Sequence, residues 1–223
     1  MGKVIIQEHT TKLPISLIGE ESGVCYGSDI SDQEKNYKRG IHNLESGHGR
    51  TLEFPQVYMI LDGYSARVIR EFYTHIAGGP TRLQASTRYI DYDDFHFITP
   101  PAIADNAYAK WRYDKCMKEI LVTYEQLVEH NNIPKEDAAN LLPLGMTTKI
   151  VCRTNLRNLI DMSHQRLCNR AYWEFRELMR DIRVALSEYS EEWSYLMEHY
   201  MMPKCLYLGH CPEIHSCRED KSL

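Results

Sequence analysis

Thr81-Arg82-Leu83-Gln84-Ala85-Ser86-Thr87-Arg88-Tyr89 sets hydroxyl groups and two arginines between aromatic and apolar runs, a composition suited to holding a phosphate. Gly78-Gly79-Pro80 lies just upstream. It cannot continue a helix and offers the backbone N–H groups of Gly78 and Gly79 to an oxyanion. Downstream, Tyr89-Ile90-Asp91-Tyr92 and Phe95-His96-Phe97-Ile98 read as short extended segments stopped by Pro100-Pro101. Taken alone, the stretch reads first as a solvated turn with a few basic residues.

The flanking sequence supplies helices and a strand. Gln33 to Glu45 places Tyr37, Ile41 and Leu44 at helical spacing among charges, the pattern of an exposed helix with a narrow apolar stripe. Glu53 to Leu61 is apolar and β-prone, a strand feeding the site. Ser65 to Tyr73 reads as a helix with Val68, Ile69 and Phe72 on one face, delivering His75 to the loop. A long helix from near Ala104 carries Trp111, Met117, Ile120, Tyr124, Leu127 and Val128, and stops at Asn131-Asn132-Ile133-Pro134. Lys135 to Leu142 is a short helix ended by Pro143, and Asn155 to Arg170 and Trp173 to Ser187 are helices. The first half is therefore mixed and the second half helical. No internal repeat or low-complexity linker divides the chain, so one α/β domain is expected over residues 1–223.

With 223 residues, 43% of them hydrophobic, the chain can bury a real core. A net charge of −5 argues against a general nucleic-acid binder. No apolar run of signal-peptide length follows Met1-Gly2-Lys3, and none approaches a membrane span, so a cytoplasmic protein without membrane contact is expected. Of seven cysteines, Cys25, Cys116, Cys152 and Cys168 are scattered through the body as small buried hydrophobes. Cys205, Cys211 and Cys217 share the tail, from about residue 203, with His210 and His215. Their spacing is not that of a tight structural zinc ribbon; a zinc site, a redox clip and a reduced tail stay open, and no metal ligand set is assigned.

Several elements in collinear order resemble the flavin-dependent thymidylate synthases. Ser86-Thr87-Arg88-Tyr89 resembles the Ser-Gly-Arg-Tyr half of that family's signature, and Thr74-His75-Ile76 stands where its Arg-His-Arg half belongs. Gly23-Val24-Cys25-Tyr26-Gly27-Ser28 resembles the N-terminal segment ending in a flavin-contacting serine, and Gly47-His48 with Glu53 resembles the Gly-His and Glu stretch. Leu142-Pro143-Leu144, Asn155-Leu156-Arg157, Arg166 and Ala171-Tyr172-Trp173-Glu174 follow in family order, so the resemblance runs from about residue 20 to about 190.

The resemblance implies a central antiparallel-rich sheet flanked by long helices, an α+β arrangement. It implies conversion of dUMP to dTMP, with methylenetetrahydrofolate as one-carbon donor and NADPH-reduced FAD as hydride source, in a homotetramer whose sites draw on several subunits. Gln84, Ala85, Ser86, Thr87, Arg88, Lys149 and Glu71 fall on the nucleotide side. Arg166 faces the pyrimidine as the catalytic residue, a fixed cation for charge developing on the base. Ser28, His48, Glu53, His75, Asn155 and Arg157 fall on the flavin side, and Arg50 is added as a further contact to the flavin pyrophosphate. No nucleophilic side chain is required, because the cofactor carries the hard step.

The departures bear on substrate choice. Thr74 and Ile76 replace two arginines and Glu71 replaces a glutamine, which removes cations from a doubly negative nucleotide's site unless Arg70 or Arg82 supplies them. A C5 hydroxymethyl- or methyltransferase on the same scaffold, acting on a related pyrimidine nucleotide, is one alternative reading. A non-catalytic flavin- or nucleotide-binding descendant is another.

Overall fold

The computed structural model describes residues 2–90, 92 and 94–217; of the expected extended segment Tyr89 to Tyr92, Asp91 lies outside them. Four strands, β1 (Lys3–Ile6), β2 (Gln56–Ser65), β3 (Thr81–Gln84) and β4 (Thr147–Asn155), form one antiparallel sheet in the order β1-β2-β4-β3. The chain falls into two compact units, one made of Leu61–Thr74 and Leu83–Ile150 with the N-terminal residues, the other of Lys3–Ile60, His75–Arg82 and Val151 onward.

The second unit begins with a helix pair, α1 (Pro14–Cys25) and α2 (Gln33–Glu45). Their axes approach because glycine leaves no side chain between them. A Cβ on Gly19 would fall on the carbonyl oxygen of Asn36, and one on Gly40 on that of Ile15. Helix α1 has no side-chain cap of its own. Its first amides, those of Ile15 and Ser16, instead donate to the Glu192 carboxylate at 2.6 and 3.0 Å, which places a charge where the helix dipole favours it. Glu192 belongs to α9 (Glu191–His199), which follows α8 (Trp173–Tyr189). Phe175, Leu178, Ile182 and Trp193 are fully buried there, and the Trp193 indole N–H reaches the Thr11 carbonyl at 2.7 Å.

The first unit contains α3 (Ala66–Phe72), α4 (Pro101–Ala104), α5 (Ala107–Glu125) and α6 (Lys135–Ala138). Ser65 caps α3 and Asn106 caps α5 through their side chains. A core cluster of Tyr92, Phe95, Met117, Tyr124, Ala138 and Met146 sits beneath α5.

Several expectations shift. The segment before β2 is a 3-10 turn over Gly49–Glu53, and the strand begins only after Pro55, at Gln56. The long helix is split by Asp105-Asn106, becomes a π turn at Gln126–His130, and leaves Trp111 54% exposed. Tyr89 and Ile90 are not extended: both amides donate to the Ser86 carbonyl, and the Arg88 amide donates to the Ser86 hydroxyl, the local competition that serine offers in turns. The second half is not all helix. Strand β4 lies inside the sheet, and its run of Thr147, Thr148, Ile150, Val151 and Thr154 has alternating burial. Helix α7 (Leu156–Arg166) is shorter than the expected span: Asn155 caps its start, and it ends at Arg166 with Leu167 as its C-cap. Among the described residues, no helix is long and apolar enough to cross a membrane.

Candidate functional site

Helix α7 organises the second unit's polar residues from both ends. At its start, the Asn155 carboxamide oxygen accepts the Asn158 amide at 2.9 Å, and its Nδ2 donates to the Gly78 carbonyl at 3.4 Å. Gly78 has φ +71°, and a Cβ there would fall on Asn155 Nδ2, so the loop needs glycine at this point. Arg153 donates to the Gly79 carbonyl at 3.0 Å, Arg82 donates to the His75 carbonyl, and Asn158 donates to that carbonyl and to Thr154 Oγ1. The carbonyls of the loop are thus held, and the Gly79 amide is spent on the Ile76 carbonyl. The expected pair of open amides at Gly78 and Gly79 is reduced by one, and Arg82 serves the loop backbone.

His75 is the loop's inward side chain, 9% exposed. Its ring meets Phe175 edge-on at 5.8 Å, and its Nε2 accepts the Arg166 Nε–H at 3.0 Å. The Arg166 guanidinium stands 4.9 Å from the Phe175 centroid, a cation–π contact. Burial, then the Arg166 and Arg82 charges, push the His75 imidazole down to about 4. At neutral pH it is an uncharged acceptor for Arg166, with its proton on Nδ1. Neighbouring Cys152 is buried and its thiol is pushed up to about 12 by that burial, so it is no thiolate nucleophile.

Arg157 stands nine residues before Arg166, and at about 100° per residue that puts them on opposite faces of α7. Arg166 turns to His75 and Phe175, whereas Arg157 pairs with Glu53 at 2.7 Å. The Leu156 amide donates to the Pro55 carbonyl at 3.0 Å, which ties α7 to the 3-10 turn that carries Arg50 and Glu53. Beside that turn lies a cavity of about 530 Å³ lined by Ser22, Tyr26, Asn43, His48, Arg50 and Phe54 among others, within the size range of ligand pockets. His48 and Arg50 are therefore brought together, with Glu53 and Arg157 alongside; His75, Asn155 and Arg166 form a separate cluster along the same helix. Ser28 is exposed beyond α1, its amide donating to the Gly23 carbonyl.

In the first unit, the Ala85 amide donates to the Lys149 carbonyl at 2.8 Å and Gln84 Nε2 to Thr148 Oγ1 at 3.3 Å. The Ser86–Arg88 turn thereby springs from the edge of β4 beside Lys149, with Thr87 inside the turn. Lys149 pairs with Asp62 at 2.7 Å, Arg88 with Glu136 at 2.8 Å and Arg67 with Glu71 at 3.9 Å. Glu71 thus answers a neighbouring arginine on its own helix. Arg88 and Lys149, the two cations expected to meet a phosphate, both rest on exposed carboxylates, pairings worth little in water.

Asn158, Arg153 and Phe175 were not among the expected residues. Asn158 carried a signal, since an amide three residues after a capping Asn is placed to reach back over the helix start. The other two become visible only when β4 and α8 are folded.

The sequence matches a model of the family described as thymidylate synthase complementing protein over residues 9–190. A flavin-dependent thymidylate synthase of Nitratidesulfovibrio vulgaris is 30% identical over 230 residues, which cover 95% of this chain and 91% of that protein. One from Pyrococcus furiosus is 30% identical over 219 residues, 91% of this chain and 86% of that protein. Among solved structures, that of the Helicobacter pylori flavin-dependent thymidylate synthase ThyX, complexed with FAD and dUMP, superposes with a TM-score of 0.67 at 21% identity, covering 89% of this chain and 99% of that one. The fold is shared.

Proposed function

We propose, from the premise that this chain belongs to the thymidylate synthase complementing protein family, that it makes dTMP from dUMP with methylenetetrahydrofolate as one-carbon donor, FAD as cofactor and NADPH as reductant. The observation that carries this reading is the fixed guanidinium of Arg166, held by a neutral imidazole on one side and the Phe175 ring on the other. A cation held in place beforehand stabilises charge that develops on a pyrimidine during attack from C5 without reorganising. A cationic imidazole would repel it, so the depressed His75 basicity serves the same end.

Bound FAD supplies the hydride that completes the methyl group. The residues fit such a group. The cavity beside His48 and Arg50 has the volume for part of it, and Arg157 offers a guanidinium fork near a helix start, where anions are favoured. His48, Arg50, Glu53, His75, Asn155 and Arg157, with Ser28, are proposed to hold it. On the first unit, Arg88 and Lys149 exchange their carboxylates for the nucleotide phosphate, with Gln84, Ala85, Ser86 and Thr87 completing the turn that meets it. Arginine grips phosphate as a fork and lysine as a point charge, so Arg88 sets direction and Lys149 adds attraction.

The proposed assembly is a homotetramer in which the Ser86–Arg88 turn and Arg166 that serve one nucleotide come from different chains. Ile76, Leu83 and Tyr89 are 72%, 71% and 78% exposed, apolar surface suited to burial by another copy.

The test is an assay with dUMP, methylenetetrahydrofolate, FAD and NADPH that follows tritium release from C5 together with product mass. Tritium release with a dTMP product is expected. Release with a hydroxymethylated product would replace the reading by the hydroxymethyltransferase alternative, and no release with flavin bound would leave only a binding descendant.

A further inference from the structure

We propose that Asn43 is a specificity-determining residue of the cavity beside the 3-10 turn, where its carboxamide oxygen accepts a ring N–H of the bound flavin cofactor. The inference rests on the proposed function, in which this cavity holds part of FAD.

Asn43 lies in the last turn of α2 and is 3% exposed. A carboxamide buried to that extent needs a partner for each of its polar atoms. The nitrogen has one, since Nδ2 donates to Ser22 Oγ on α1 at 2.5 Å. The Ser22 hydroxyl spends its single proton on the Gly19 carbonyl at 3.2 Å, so toward Asn43 it can only accept. That network fixes which way the amide faces: nitrogen to Ser22, oxygen away from it.

The oxygen is the unused half. Among the described residues nothing donates to Asn43 Oδ1, and it is not one of the polar atoms sealed from solvent. Ser22 and Asn43 both line the cavity of about 530 Å³, so Oδ1 opens on it as an acceptor held in one orientation. Unlike the Glu21 carboxylate, which also lines the cavity, this acceptor is uncharged. It takes a neutral donor without a cation to balance it.

The surroundings select the kind of donor. Tyr26, His48 and Phe54 line the same cavity, and flat rings suit packing against a planar heterocycle. An acceptor beside such rings reads N–H groups on the rim of the heterocycle. FAD carries two of these, N3–H on the isoalloxazine and the amino group on adenine C6. The Asn43 carbonyl meanwhile accepts the His48 amide at 3.0 Å, so one residue sets both the His48 turn and the acceptor.

The experiment strips flavin from the full chain and measures affinity for three ligands by calorimetry: FAD, FAD methylated at flavin N3, and FAD dimethylated at the adenine amino group. One of the two analogues is expected to bind the wild type about tenfold more weakly than FAD, the scale of leaving a buried acceptor unpaired; which one does so tells whether the ring or the adenine sits at Asn43. Asn43→Leu is expected to lower FAD affinity by a similar factor and to bind that analogue no more weakly than FAD. Equal binding of all three ligands by the wild type would overturn the proposal. So would an analogue penalty that persists undiminished in Asn43→Leu, because Asn43 would then act only through Ser22 and His48. Asn43→Ser repeats the comparison where leucine does not fold. Failure of the wild type to bind FAD would remove the flavin reading and this proposal together, whereas FAD binding with the expected coupling but no dTMP formed would remove only the assigned reaction.

Discussion

Arg166 donates its Nε–H to Nε2 of His75 across 3.0 Å. The bond fixes three things together: the tautomer of the imidazole, the plane of the guanidinium and the distance between the 75–79 loop and the last turn of α7. Arg166→Ala is expected to lower kcat by about two to three orders of magnitude, the scale of losing one preorganised electrostatic donor. Arg166→Lys should recover little, because an ammonium holds no plane. Steady-state kinetics with dUMP check both, with flavin content as the control for folding.

The same pair sets a pH dependence. An unfolded histidine takes up its proton near 6.5, whereas folded His75 resists until about 4. Between those values the unfolded state binds more protons, so this contribution to stability is complete above about pH 6.5 and declines as pH falls toward 4. Urea denaturation at about pH 7.5 and about pH 5 should show a loss in the wild type that His75→Gln reduces. An unchanged difference in the variant would contradict the assignment.

Two adjacent glycines provide an internal comparison. Gly78 and Gly79 have φ of +71° and +63°, but only at Gly78 would a Cβ strike a side chain, that of Asn155. Gly79→Ala should cost about 1 kcal/mol of stability from backbone strain alone. Gly78→Ala should cost about 2–3 kcal/mol and loosen the α7 cap as well. Chemical denaturation together with flavin retention separates the two.

Lys149 rests on Asp62 at 2.7 Å. Lys149→Ala is expected to raise KM for dUMP roughly tenfold, equivalent to about 1.4 kcal/mol, with a smaller effect on kcat. It should also flatten the salt dependence of KM, since one screened attraction is gone. Titrating salt in both proteins measures this.

Subunit sharing is tested by mixing. Arg88→Ala and Arg166→Ala are each expected to be inactive alone, and unfolding and reassembling them together should restore a fraction of activity. No recovery would place each site within one chain.

Much of this molecule is legible from local rules. Asp32, Ser65, Asn106 and Asn155 each accept an amide as helix caps, and α2 and α3 form where a capping side chain and an apolar stripe coincide. Strand β4 departs from the helical second half that was expected, although Thr147, Thr148, Ile150, Val151 and Thr154 carry a β-branched signal. What local rules cannot supply are partners far apart in the chain. Glu192 caps a helix that starts 178 residues earlier, at Pro14, and Cys168 joins three tail cysteines only after α10 (Lys204–Leu208) returns to α7. Of the expected site residues, His75, Asn155 and Arg166 gather at α7 and its loop, whereas Arg157, expected beside Asn155, leaves the helix on the opposite face to pair with Glu53. Cys25 and Cys116, expected to be buried, are exposed, since nothing in a lone cysteine's neighbours in sequence fixes which side of a helix it takes.

Because Arg157 and Arg166 leave α7 on opposite faces, the helix acts as an axle. A small roll that carried Arg157 outward from Glu53 would swing Arg166 the contrary way relative to His75. Under the proposed function, a substitution that freed Arg157 from Glu53 would therefore be expected to register at Arg166 as well.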